Sequence, residues 1–120
     1  MIVNEEDVKK ILTECGAILK GHFVLDSRRH SDTYVDMDAL FVHPRTVSDL
    51  AQAIARWLFL KDIPVEVIAG PAVGGAIIAP EVAQEYKDIS GSDLLAVFAP
   101  KVREDRQDKF TLSPAFRRAV

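Results

Sequence analysis

The chain has 120 residues, 48% apolar and 28% charged, a length and composition that fit one folded domain and exclude a disordered or collagen-like polymer. Its formal net charge of −3 is unevenly spread: residues 101–120 carry six basic and three acidic side chains, a local +3, so residues 1–100 sum to −6. That acidic body disfavours general nucleic-acid binding, which runs on neutralising phosphates; the basic tail suits either one small anion or plain solvent exposure.

Asn4, with Asp7 three residues on, has the pattern of a helix N-cap pair. The acidic run Glu5-Glu6-Asp7 stands where a secretion signal would be basic, which makes the cytoplasm the expected location. Val8, Ile11, Leu12, Cys15, Ile18 and Leu19 recur at helical spacing and predict a first helix stopped by Gly21. Cys15 lies inside that stripe and reads as a packed residue rather than a reactive thiol. As the single cysteine it excludes an internal disulfide and any multi-cysteine metal centre. Two short strands, 22–26 and 33–38, are expected around a polar turn at 27–32. Pro44 suits the first turn of a second helix, with Val47, Leu50, Ala51, Ile54, Trp57 and Leu58 as its buried stripe and Ile63-Pro64 ending it.

Residues 65–69 read as a β-branched strand, 70–75 as a tight turn, 76–87 as a third helix and 94–99 as the next strand. Pro80 should kink that helix or delay its start. A charged loop follows at 101–109, and 110–112 is an expected edge strand. Strand, turn, helix, strand is a βαβ unit with parallel pairing. The apolar stretch at 69–80 is broken by glycine and proline and is shorter than the about 18 residues of a membrane span.

The turn Gly70-Pro71-Ala72-Val73-Gly74-Gly75 carries the chemistry. Glycines let the backbone approach a ligand closely, and amides at a helix start favour an anion. Ligands of open α/β sheets collect at the carboxyl ends of strands. The turn fits neither the dinucleotide nor the P-loop fingerprint, so an anion cradle and simple tight packing both remain open. His22, His30 and His43 are not at metal-ligand spacing. Asp36 and Asp38 would share a strand face near Asp26 and Asp32, and these carboxylates read as solvated rather than as a metal site.

Three segments in order resemble the orotate phosphoribosyltransferases, of the type I phosphoribosyltransferase family. Gly21-His22-Phe23-Val24-Leu25, followed by Ser27-Arg28-Arg29-His30-Ser31-Asp32-Thr33-Tyr34-Val35-Asp36, is similar to that family's opening hairpin. The 70–75 turn resembles its diphosphate-binding turn. Residues 94–101, the charged loop and Phe110-Thr111-Leu112 resemble its strand and mobile catalytic loop.

The resemblance implies an α/β fold: an incomplete Rossmann-like core with parallel strands at about 44–120, preceded by an N-terminal helix and hairpin hood at about 1–43. It implies transfer of ribose 5-phosphate from phosphoribosyl diphosphate to orotate, yielding orotidine 5′-monophosphate and diphosphate, in a homodimer, with Mg²⁺ bound through the diphosphate. By the same resemblance Gly70, Ala72, Val73, Gly74 and Gly75 hold diphosphate and Lys101 is catalytic. Asp26, Ser27, Arg28, Tyr34 and Val35 flank orotate. Arg103, Arg106 and Lys109 are loop cations that reach a neighbouring subunit.

The departures from the family are specific. Asp26 stands where the family has Lys or Thr, Arg28 where it has Gly, and Pro100 where it has a polar residue. Ser113-Pro114-Ala115 replaces an arginine-glycine pair. The acidic pair and Thr/Gly-rich loop that grip the 5′-phosphate in the family have no counterpart in the sequence. A truncated enzyme is the expectation on these grounds. The alternatives are a non-catalytic module that keeps the diphosphate turn and dimer surface, and a regulatory DNA-binding relative, which the acidic body disfavours.

Overall fold

The computed structural model describes residue 2, residues 4–105 and residues 107–120. The chain divides into two compact units, Met1–Leu50 and Ala51–Val120.

In the first unit, α1 spans Glu5–Glu14. Asp7 N donates to Asn4 Oδ1 at 3.0 Å and Asn4 N to Asp7 Oδ2 at 3.3 Å, a reciprocal capping box. On the exposed face of α1, a hydrogen bond to Glu5 and the charges of Glu5 and Glu6 hold the Lys9 ammonium above its ordinary value. The helix ends earlier than the apolar stripe predicts. Cys15 is its C-cap and Gly16 takes a φ of 81°, the left-handed conformation that glycine adopts without a steric cost. Gly21 is therefore not the stop signal. Ile18 and Leu19 keep helical spacing by coincidence and belong to β1, because Ala17 O accepts from Asp36 N at 2.7 Å and draws the chain into a ladder.

β1 (Ile18–Val24) and β2 (His30–Val35) pair antiparallel, from Ile18↔Val35 to Val24↔His30. Both strands lie several residues earlier than the predicted 22–26 and 33–38, and the turn occupies 25–29. Asp36 and Asp38 leave the ladder: Asp36 Oδ1 accepts from Asp38 N at 3.1 Å, and Asp38 opens the short helix α2 (Asp38–Phe41). These two residues do not share a strand face. α2 buries Leu40 fully. α3 (Pro44–Leu60) starts at the expected proline.

In the second unit, Ala51 and Ala55 of α3 meet Val82 in a buried cluster, with Leu58, Ile68, Ile78, Tyr86 and Ile89 packed against it. Two alanines at i, i+4 keep the helix surface low enough for close approach. β3 (Val67–Pro71), α4 (Gly74–Ser90) and β4 (Leu95–Ala99) form the expected βαβ unit, with parallel register from Val67↔Leu95 to Pro71↔Ala99. β3 is displaced two residues from its predicted bounds. α4 starts ahead of Pro80 rather than being delayed by it; the proline lies inside the helix on its exposed side. Gly91, at φ 79°, ends α4 and donates to Lys87 O at 2.8 Å.

Residues 101–109 are not a loop. β5 (Lys101–Glu104) and β6 (Gln107–Phe110) form an antiparallel hairpin from Lys101↔Phe110 to Glu104↔Gln107. Asp105, directly after Glu104, takes a φ of 50°, the left-handed value that the first central position of a tight hairpin turn calls for. The expected edge strand keeps only Phe110. α5 (Pro114–Ala119) begins at Ser113, whose Oγ accepts from Phe116 N at 3.2 Å, so the Ser113-Pro114 departure is a helix start. Phe116 packs edge-on to Phe98 of β4, ring centroids 5.0 Å apart. Among the described residues no helix is long and apolar enough to cross a membrane.

Candidate functional site

The glycine turn sits where the parallel pair ends. Ala72 N donates to Ala99 O at 2.9 Å, one step beyond the Pro71↔Ala99 pair, and this bond ties the turn to the carboxyl end of β4. The Ala72–Val73 peptide is cis. Gly70 and Gly75 face each other directly. A Cβ on Gly70 would lie 2.5 Å from Gly75 Cα, and one on Gly75 would overlap the Gly70 carbonyl carbon. Both glycines are therefore required for the turn to close. Gly74 is the first residue of α4, and Val73, its N-cap, gives no side-chain hydrogen bond to the helix end. Ala76 N is satisfied by Val73 O at 3.0 Å. The start of α4 thus presents backbone amides, without a capping side chain, at the carboxyl end of the sheet, the place and chemistry of an anion cradle.

Lys101 enters the same edge, two residues after Ala99. Its Nζ lies 3.1 Å from Asp108 Oδ2, with both side chains about half exposed. In the β5–β6 register Arg103 opposes Asp108, which places Lys101, Arg103 and Asp108 on one face of the hairpin. Lys109 opposes Val102 and belongs to the other face, so the two loop cations are separated. Arg106 lies outside the described residues. Asp108 is a residue that the sequence reading missed; strand alternation across 101–110 carried the signal, obscured by the run of charges.

In the first unit, the hairpin turn has a defined form. Leu25 O accepts from Arg28 N at 2.8 Å, Leu25 N donates to Arg29 O at 2.8 Å, and Arg28 takes a φ of 66°. This is the three-residue connection Asp26-Ser27-Arg28, a turn followed by one left-handed residue, where glycine is the usual occupant. Arg28 stands where the resembled family has glycine, and it keeps glycine's conformation. Ser27 Oγ accepts from Arg29 N at 3.3 Å, so this hydroxyl shapes the turn. Asp26, Ser27 and Arg28 are all exposed, and among the described residues no ion pair joins Asp26 to Arg28. Tyr34 and Val35 lie at the far end of β2, each 47% exposed, with Tyr34 against Phe23 at 5.6 Å between centroids. The hairpin brings Asp26, Ser27 and Arg28 together; the length of β2 separates them from Tyr34 and Val35. Among the described residues no three His, Cys, Asp or Glu side chains gather to hold a metal ion.

The parallel pair, its crossover helix and the glycine turn define the class: a partial α/β core of the type I phosphoribosyltransferase kind. Solved structures support that fold. The chain aligns with orotate phosphoribosyltransferase of Aeropyrum pernix with a TM-score of 0.63 and 24% identity, over 88% of this chain and 56% of that one. With the enzyme of Francisella tularensis the TM-score is 0.61 at 16% identity, over 87% and 50%. Sequence relatives narrow the class. Orotate phosphoribosyltransferase of Thermoanaerobacter sp. is 39% identical over 83 residues, covering 69% of this chain and 43% of the relative. That of Thermotoga maritima is 39% identical over 80 residues, covering 67% and 42%. No family model matches the chain. The chain is thus a relative of the orotate phosphoribosyltransferases, and it spans about two fifths of the length of these curated relatives.

Proposed function

We propose that this chain serves the orotate phosphoribosyltransferase reaction by gripping the diphosphate end of phosphoribosyl diphosphate. The observation that carries this reading is the 70–75 turn, whose two outer glycines close on each other and leave backbone amides at the start of α4 facing the sheet's carboxyl edge. As diphosphate leaves the sugar, negative charge grows on its oxygens and positive charge on the anomeric carbon. Amides of residues 73–75 stabilise the first without reorganising, while Ala72 N, engaged by Ala99 O, fixes the turn against β4, and Lys101 adds a full positive charge from the start of β5. The hairpin turn at Asp26, Ser27 and Arg28, with Tyr34 and Val35, is the orotate side. Mg²⁺ would come with the diphosphate oxygens and supply further charge neutralisation when bound.

In this reading the protein acts in the cytoplasm as a homodimer, with Arg103, Arg106 and Lys109 reaching the neighbouring subunit's site. A second reading, a non-catalytic module that binds the same diphosphate, is favoured by Asp26, an exposed carboxylate on the side where an anionic orotate would sit. Two measurements separate the outcomes. Calorimetry with Mg²⁺ should show phosphoribosyl diphosphate binding and ribose 5-phosphate failing to bind; the reverse preference overturns the diphosphate assignment. Formation of orotidine 5′-monophosphate from orotate and phosphoribosyl diphosphate decides for the enzyme, and ligand binding without turnover decides for the module.

A further inference from the structure

The hairpin of the first unit contains a second feature, independent of the orotate side. Between Lys20↔Thr33 and Phe23↔Ser31 the register shifts, so Gly21 and His22 together oppose Asp32. Such a bulge raises the local twist and re-aims the side chains beside it. Here it brings two imidazoles into contact: His22 Nε2 lies 2.6 Å from His30 Nδ1, with ring centroids 4.8 Å apart and planes inclined at 55°. Both rings are exposed, and a hollow of about 300 Å³ lined by Gly21, His22, His30, Ser31 and Asp32 opens beside them.

We propose that His22 and His30 form a two-imidazole site for a divalent transition-metal ion of the Zn²⁺ or Ni²⁺ kind, with water filling the remaining positions. In the neutral pair one of the two facing nitrogens donates a proton and the other accepts it. An ion takes the place of that shared proton, which moves to the far nitrogen of its own ring. Both near lone pairs then point at the metal and no net proton is released. Metal–nitrogen bonds of about 2.0–2.1 Å at a tetrahedral angle set the nitrogens roughly 3.3 Å apart. The rings must separate by less than about 1 Å from their present contact, a small side-chain rotation at an exposed position.

Asp32 adds negative charge to the same hollow, and Thr33 Oγ1 donates to its Oδ1 at 2.9 Å. Lys20, on the same hairpin, is engaged with Thr33 Oγ1 at 2.8 Å. Imidazole donors select zinc, nickel and copper over magnesium, so this site is chemically distinct from the diphosphate-borne ion. Bound there, the ion staples β1 to β2 across the bulge.

Calorimetric titration of the untagged chain with ZnCl₂ and with NiCl₂ tests this. One saturable site per chain is expected, absent with MgCl₂, lost in His22→Ala and in His30→Gln, and kept in His43→Ala and Cys15→Ser. Far-ultraviolet circular dichroism of each variant checks that the fold is retained. Binding that survives in His22→Ala, or that disappears in His43→Ala or Cys15→Ser with the fold intact, overturns the assignment, as does a wild-type chain that takes up neither ion saturably.

Discussion

Replacing Arg28 with glycine should make this protein more stable, although it removes a charged residue from the candidate orotate side. Arg28 holds a φ of 66° as the last residue of the three-residue hairpin connection. For a residue with a Cβ that conformation costs about 1–2 kcal/mol, which glycine does not pay. Against this, glycine gains freedom in the unfolded chain worth about 0.5–1 kcal/mol. Arg28 is exposed and joins no ion pair with Asp26, so little contact energy is lost. The net gain is about 0.5–1 kcal/mol, or roughly 2–5 °C in melting temperature for a chain of this size. Thermal melts followed by circular dichroism, with Arg28→Ala as the control, measure it. Alanine keeps the Cβ and should give no such gain. The reasoning fails if alanine stabilises as much as glycine, because the effect would then come from charge removal and not from backbone conformation.

Two further outcomes follow from the sites. Asp26→Lys should tighten orotate binding more than Asp26→Asn does, measured at two salt concentrations; equal affinities for both variants and wild type would mean that position 26 does not face the ligand. Asp108→Asn releases Lys101 from its 3.1 Å partner and should strengthen diphosphate binding, more so at low salt. A half-exposed pair is worth about 0.2–1 kcal/mol, so the gain is at most about fivefold, and unchanged calorimetric affinity would show that Lys101 does not meet the anion.

The parts of the fold that sequence announced are those fixed by local chemistry. Asn4 and Asp7 satisfy each other's backbone amides within one turn, so their spacing suffices to place the start of α1. The βαβ unit followed from the order of strand, glycine turn and helix. The end of α1 did not, because Gly16 and Gly21 are equally able to stop a helix. A long-range bond from Asp36 N to Ala17 O decides between them. The β5–β6 hairpin was hidden for another reason: its alternating residues are mostly charged, and a solvent-exposed ribbon shows no apolar face to read. At the site, the glycine turn was legible as a pattern, but the mutual contact of Gly70 and Gly75 is a property of the folded backbone. Lys101 was legible only by resemblance, and its pairing with Asp108 needed the register of the hairpin. Ser113-Pro114 carried a helix-start signal in plain view; read as a lost arginine-glycine pair, it hid α5.

Calorimetry of inorganic diphosphate with Mg²⁺, on wild type and Gly74→Val, bears most directly on the anion cradle. Position 74 is the informative one, since a Cβ at Gly70 or Gly75 would collide with backbone and disturb the turn itself. Gly74 is the first residue of α4, and valine there sets a branched side chain beside the amides. The account predicts saturable binding by wild type and its loss in Gly74→Val, with circular dichroism near wild type. A wild-type chain that fails to bind diphosphate at millimolar concentration, or a valine variant that binds it equally well, would contradict it and leave the turn as packing alone.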